Sequence, residues 1–373
     1  MKRFLIPKFN FGGHFLEYLS HIYDYARFDK DNEYFFVLSP DYEGRFTSCR
    51  HINIEIVSNC ELRLYNQANS IFLRDYFENR LLSKLVKRVK PTDVIHITLI
   101  DIQRFLPFFT VKGVRYTGII YYIYLYKWHE LPCLRKLQEV LMHKMLCKNK
   151  NITNIYVCND MLASKILNRV LNTEKFKYIP DPFVPISLND STSVLDVKEC
   201  KDKTLYVHFG ALCERKGTLE ILRAISLLSY DVRKKVAFVF AGRVDETIKK
   251  IFYELVERHK HETTIIVKDE FCSFEILGQL CQHADYLLIP YKNAYQSSGV
   301  FGYASQFDTP VIALGKNLHR RLIRQYHLGY AIPSTSASAI AEFVSHAPTH
   351  PVHVSKKYVQ DHTPRLFCER MMN

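Results

Sequence analysis

Two kinds of segment alternate along the chain. Short, nearly continuous apolar runs such as "KRFLIP", "EYFFVLS", "DVIHITL", "YTGIIYYIYLY" and "NIYVCN" have the length of strands. Between several of them lie longer stretches with apolar residues three and four positions apart, among them "GHFLEYLSHIYDYARF", "NSIFLRDYFENRLLSKLVKRV" and "LRKLQEVLMHKMLCK". An unbroken apolar run suits a strand buried on both faces, and the wider spacing suits a helix with one buried side. Strands alternating with helices predict a parallel sheet covered by helices on both faces.

The rhythm restarts beyond residue 203. Runs "LYVHFGA", "KVAFVFAG", "TTIIVK", "DYLLIP" and "TPVIAL" predict strands, with helices from about Gly217, over Glu246 to His259, over Ser273 to His283, and from about Gly299. The intervening "IPDPFVPISLNDSTSVLDVKECKDK" is rich in Pro, Ser and Asp and follows neither period, as a boundary segment would. The pattern predicts two doubly wound α/β domains, residues 1–181 and 182–373.

Composition narrows the function classes. A chain of 373 residues, 47% hydrophobic and 24% charged, has the material for two globular cores. Its net charge of +13, carried mostly by the first half, favours an anionic partner such as phosphate or an anionic membrane surface. Nucleic acid is disfavoured because no recognised binding module appears. Ten scattered cysteines without a C-x-x-C pair suit free thiols in a reducing, cytoplasmic setting and offer no zinc site. The N-terminal apolar stretch is broken by Pro7 and Lys8, unlike a signal peptide, and no apolar run approaches the roughly 20 residues of a membrane span. Any membrane contact is therefore expected to be peripheral.

The chemistry concentrates in "LYVHFGALCERKGTLEILRAI", Leu205 to Ile225. Here an expected strand stops at Gly210, and Glu214, Arg215 and Lys216 precede a helix starting near Gly217. A helix start presents unpaired N–H groups and a positive dipole end, and two adjacent cations make the turn a candidate diphosphate site. The plainer alternative is a solvated charged loop capped by glycine. Downstream, Ser297, Ser298 and Gly299 lie between a strand ending at Pro290 and another helix, where hydroxyl and N–H donors suit phosphate or ribose oxygens. An ordinary helix cap explains them equally well in isolation.

Taken in order, these segments resemble the nucleotide-sugar-binding domain of the GT-B glycosyltransferases, in particular glycosyltransferase family four, the group 1 type. The resemblance rests on the strand ending at Gly210, the loop ending Lys216-Gly217, Ala241-Gly242, Ala284-Asp285 running to Pro290, and Pro310-Val311-Ile312. The first half resembles the family's acceptor domain more loosely, through "FNFGGHF", "DVIHITLID" and "NIYVCNDMLASKIL" with "YIPDPF". The resemblance implies two Rossmann-like domains facing a central cleft, with the last ~25 residues crossing back to the first domain. It also implies retaining transfer of a sugar from a nucleotide-diphosphate donor, UDP- or GDP-linked, to a glycan or lipid-linked acceptor, with no metal or other cofactor.

By the same resemblance Lys216 and Arg215 would meet the leaving diphosphate, and Gly12, Gly13, Gly210, Glu214, Ser297, Ser298, Gly299 and Tyr295 would line the donor. Lys216 matches the family's lysine, whereas the family's arginine after the strand glycine is Ala211 here. The family's two glutamates, eight positions apart, fall at Tyr295 and Tyr303. A phenol cannot accept a bidentate pair as a carboxylate does. In the acceptor domain His129 is the candidate catalytic residue near the reaction centre, and Tyr124 and Asp101 are acceptor-side candidates; a surface histidine beside Trp128 and a helix-capping Asp101 are the structural alternatives.

Two basic helices complete the reading: Arg80, Lys84, Lys87 and Arg88 on one side of the first, and Lys136, Lys144, Lys148 and Lys150 along the second. Such faces suit an anionic membrane, or simply solvent. The expected role is assembly of a surface polysaccharide or glycolipid at the inner face of the membrane. The rival is a non-catalytic nucleotide-sugar or glycan-binding subunit of the same architecture.

Overall fold

The apolar runs form two all-parallel sheets in a computed structural model that describes residues 1–12, 15–121, 123–188 and 200–373. The first sheet comprises β1 (Arg3–Lys8), β2 (Glu33–Leu38), β3 (Ile52–Ile56), β4 (Asp93–His96), β5 (Arg115–Ile120), β6 (Ile152–Cys158) and β7 (Phe176–Ile179). Its order is β3-β2-β1-β4-β5-β6-β7. The second comprises β8 (Thr204–Phe209), β9 (Val236–Ala241), β10 (Thr264–Lys268), β11 (Tyr286–Ile289), β12 (Val311–Leu314) and β13 (Gly329–Ile332), in the order β10-β9-β8-β11-β12-β13. Every residue of β9, β11 and β12 is buried, as strands covered by helices on both faces must be.

The chain divides into two units: Met1–Pro182 with Thr363–Asn373, and Phe183–His362. In both, the strand order reverses beside the unit's first strand, between β1 and β4 and between β8 and β11. At such a reversal the loops leaving the two strands diverge to opposite faces of the sheet, which opens a crevice at their carboxyl ends.

In the first unit, helix Ile71–Val89 buries Leu82, Leu85 and Val89 and exposes Arg80, Lys84, Lys87 and Arg88. It stops at Lys90, in the left-handed region at φ 52, because Pro91 follows. The C-terminal helix Pro364–Met372 packs in this unit too, with Phe367 stacked on Tyr18 at 5.3 Å and Lys2 Nζ donating to the Met372 carbonyl at 2.8 Å.

Some expected elements differ. The run "YTGIIYYIYLY" predicts one long strand, but β5 ends at Ile120 and Tyr124–Lys127 forms a short 3-10 helix. Ile123 and Tyr124 are apolar because they fill the core beside the sheet, not because they extend it. The pattern underplays β3, whose Asn53 and Glu55 dilute the apolar signal at the sheet edge. No helix among the described residues is long and apolar enough to cross a membrane.

Candidate functional site

The crevice at the β8–β11 reversal is bordered by two loops, and backbone contacts too close for any side chain set the first. Gly210 leaves β8 at φ +92, its N–H donating to the Ala241 carbonyl at 2.9 Å. Gly242, at φ +136, packs so tightly that a Cβ there would lie 1.9 Å from the Gly210 carbonyl oxygen. The chain then makes a short 3-10 turn over Glu214–Lys216, and Gly217 (φ +76) opens helix Thr218–Ile225. A Cβ on Gly217 would lie 2.5 Å from the Pro290 carbonyl oxygen, just past β11. Gly217 and Gly242 have no room for a side chain because a neighbouring backbone carbonyl occupies its place, and all three positions use glycine's tolerance of positive φ.

That turn folds Lys216 back over Gly210. Its Nζ sits 2.6 Å from where a Gly210 Cβ would be and 5.2 Å from the centre of the Tyr291 ring, at the start of the second loop. Arg215 is exposed, and its carbonyl accepts from the Lys292 N–H at 3.0 Å. Lys292 Nζ in turn lies 3.0 Å from Glu214 and 3.1 Å from Glu220, so the Glu214 charge is matched within the loop pair. The result is a cation poised over a strand-end glycine beside a helix N-terminus, an arrangement that can receive a phosphate oxygen.

Two buried histidines that the sequence reading passed over hold these loops. His208, on β8, accepts from or donates to the Leu288 carbonyl and Thr218 hydroxyl according to ring nitrogen: Nδ1–H must donate to the carbonyl at 2.8 Å, which leaves Nε2 to accept from Thr218 Oγ1 at 3.0 Å. One side chain thus ties β8 to β11 and to the first turn of the helix behind Lys216. His319 supports the second loop through Nε2–H to the Gln296 carbonyl at 3.1 Å, and packs against Phe301. Burial, aided by the Lys216 charge, pulls His208 down to about 4, and burial does the same to His319. A lone histidine inside an otherwise apolar strand was the available signal.

His208→Gln should therefore show a pH-dependent cost. Above about 6.5 neither folded nor unfolded wild type is protonated at this position, so the wild type keeps the full benefit of the two bonds, about 1–3 kcal/mol. As pH falls from about 6.5 to about 4 the unfolded state binds a proton that the folded state refuses, and that benefit shrinks. Urea melts at pH 7.5 and 5 check it; an equal difference at both would remove the neutral-histidine assignment.

Of the second-loop candidates, Ser297, Ser298 and Gly299 lead into helix Val300–Phe307, with Ser298 Oγ accepting from the Val300 N–H at 3.4 Å. Tyr295 is buried. Tyr303 is also buried, its ring meeting those of Phe183 and Phe209 edge-on at 5.4 and 5.3 Å.

In the first unit, Gly12 forms the turn after β1 at φ +131, while Gly13 lies outside the described residues. Asp101, beyond β4, is held by Lys8 Nζ at 3.2 Å and Asn10 at 3.4 Å. Lys8 is buried against the Phe15 ring, and burial lowers its affinity for its proton. Behind it, burial beside Asp101 raises the Glu78 carboxyl to about 8. Tyr124 does not join this group: it is fully buried, its ring tilted against that of His143 with centroids 4.7 Å apart, because the chain turns inward after β5. It is a residue of the unit's hydrophobic core. His129 is exposed, next to Trp128. Among the described residues no cluster of His, Cys, Asp or Glu is arranged to hold a metal ion.

Sequence comparison finds no matching family and no matching curated protein. Structural comparison finds many matches. HepE of Anabaena, solved with UDP and glucose, superposes with a TM-score of 0.69 at 13% identity, covering 100% of this chain and 98% of that one. WaaG, a glycosyltransferase involved in lipopolysaccharide biosynthesis, gives 0.64 at 14% identity, covering 99% and 93%. A UDP-forming α,α-trehalose-phosphate synthase from Burkholderia xenovorans, solved with glucose-6-phosphate, gives 0.67 at 12% identity, covering 99% of both. The fold is the two-unit, Rossmann-like GT-B fold of these proteins.

Proposed function

We propose that the chain is a glycosyltransferase that moves a sugar, with retention at the anomeric carbon, from a UDP-sugar or GDP-sugar to an acceptor hydroxyl. The observation that carries this is Lys216 folded over Gly210 at the β8–β11 reversal, beside the N-terminus of helix Thr218–Ile225. In this reading Lys216 and Arg215 neutralise the charge that develops on the departing diphosphate, and Ser297, Ser298 and Gly299 contact the nucleotide. The UDP bound in the HepE structure favours uridine over guanosine. Asp101 and His129 of the first unit serve the acceptor side, and Lys8 orients the Asp101 carboxylate. No cofactor is needed when protein cations meet the diphosphate. The role is assembly of a surface polysaccharide or glycolipid, in the cytoplasm and at the inner membrane face.

One observation favours the non-catalytic alternative. Tyr303 stands where the resembled family has a glutamate, and its ring packs between Phe183 and Phe209. A binding subunit would keep its nucleotide sugar without consuming it.

Thermal-shift measurements with UDP, GDP, ADP and CMP separate the readings. A ligand that binds only the folded state at 100 times its Kd adds about 2.7 kcal/mol of stability. The expected result is a clear shift with UDP, followed by UDP release from a UDP-sugar. A shift without release supports the binding subunit; no shift with any nucleotide removes the donor site.

A further inference from the structure

Helix Cys133–Lys148 is apolar on two sides, and folding accounts for only one. Met142 and Leu146 are buried toward the unit's interior, with Glu139 and His143. On the opposite side Leu134, Leu137, Leu141 and Met145 form a continuous stripe at intervals of three and four. Leu134 is 68% exposed and Leu141 51%. A globular core does not need these side chains, and four large apolar residues in one row exceed the scatter found on ordinary surfaces.

The exposed charges of the helix itself are of one sign. Lys144 and Lys148 are exposed on the same side of the helix, and Lys150 follows it. The helix's one carboxylate, Glu139, is buried and paired with Arg135 at 2.7 Å. At the C-terminal end, Asn149 Nδ2 donates to the Pro107 carbonyl at 2.8 Å, bringing the turn that carries Phe108, 68% exposed, alongside. Lys112 is exposed just beyond it.

We propose that this face, Leu134, Leu137, Leu141 and Met145 with Lys144 and Lys148, docks the protein on an anionic lipid surface, the leucines entering the headgroup boundary and the lysines meeting lipid phosphates. Apolar insertion and cationic attraction are the two contributions that hold an interfacial helix, and this one presents both without an exposed acidic residue. A second copy of the chain fits less well. Packed parallel, stripe against stripe, it would oppose Lys144 and Lys148 to their own counterparts, whereas a lipid phosphate pairs with each of them. The surface gives a location to the membrane role proposed above, but it lies on unit 1 and draws nothing from the donor loops.

The test is sedimentation of the full chain with vesicles of phosphatidylcholine alone, or with about one-third phosphatidylglycerol. Binding is expected to the anionic vesicles only and to weaken in high salt. Leu137→Asp with Leu141→Asp should reduce binding at least roughly tenfold, and so should Lys144→Glu with Lys148→Glu. Leu134→Ser with Leu141→Ser is the milder variant, should the aspartates disturb folding. The thermal shift with UDP is measured on every variant and should not change. Equal binding to both vesicles, or binding unaffected by the leucine changes, overturns the proposal. So does light scattering showing a wild-type dimer that the leucine variants turn into a monomer. Vesicle binding without a thermal shift by UDP, GDP, ADP or CMP would keep this surface and remove the transferase reading.

Discussion

Lys216→Ala is expected to lower release of UDP from a UDP-sugar by roughly a hundredfold to a thousandfold, the range seen when one preorganised charge-stabilising group is lost. The loss should fall on kcat more than on KM. The full negative charge on the diphosphate develops as the sugar leaves, so the lysine contributes most at the transition state. Stability should hardly move. The residue is partly exposed, and its visible non-polar contact is with the face of Tyr291, worth about 0.5–1 kcal/mol. Lys216→Arg should recover part of the rate because the charge is restored while the reach differs. An unchanged rate in the alanine variant would take the β8 turn out of the mechanism. A lost rate together with a lost melting transition would show only that the turn supports the fold.

The largest structural effect should come from Gly242→Ala, a change of one methyl group. It would place a carbon 1.9 Å from the Gly210 carbonyl oxygen, and the backbone at φ +136 disfavours any side chain. Neither neighbour is a side chain that can swing away. We expect a loss of about 3 kcal/mol or more, combining backbone strain with overpacking. Urea unfolding read from the second unit would measure it. Because Gly210 is the residue that Lys216 lies over, the same variant should lose its shift with UDP even where it remains folded. Alanine tolerated at wild-type stability would mean that the two strand ends are not in contact.

Much of the architecture was legible locally. A buried parallel strand must be apolar on both faces, so "VAFVFA" and "YLLI" declare themselves without reference to any neighbour. Gly210 and Gly217 were equally visible, as glycines between a strand and a helix with Arg215 and Lys216 beside them. The reason those glycines cannot be replaced was not visible. For Gly217 it lies in the Pro290 backbone, which arrives from far along the chain, and for Gly210 in a φ of +92 and in Lys216 folded over it.

Where an apolar residue goes was less certain than that it is apolar. Tyr124 belongs to a run that reads as strand, yet it fills the core after a turn. Leu134, Leu137 and Leu141 read as part of an ordinary amphipathic helix, yet they face away from the core. Composition cannot separate these cases, because burial depends on which neighbours the fold supplies.

Side-chain pattern alone was enough to read two α/β units, a basic glycine turn after the first strand of the second, and a charge that favours anions. These follow from side-chain period and backbone permissiveness, which act within a few residues. Long-range folding set the strand order that reverses between β8 and β11, and the clamp of His208 on Leu288 and Thr218. It also decided the seating of Asp101 on a buried Lys8. Each of these joins residues ten to ninety-three positions apart, and a buried polar group finds its partner only where the chain's long-range pairing brings one within hydrogen-bond reach.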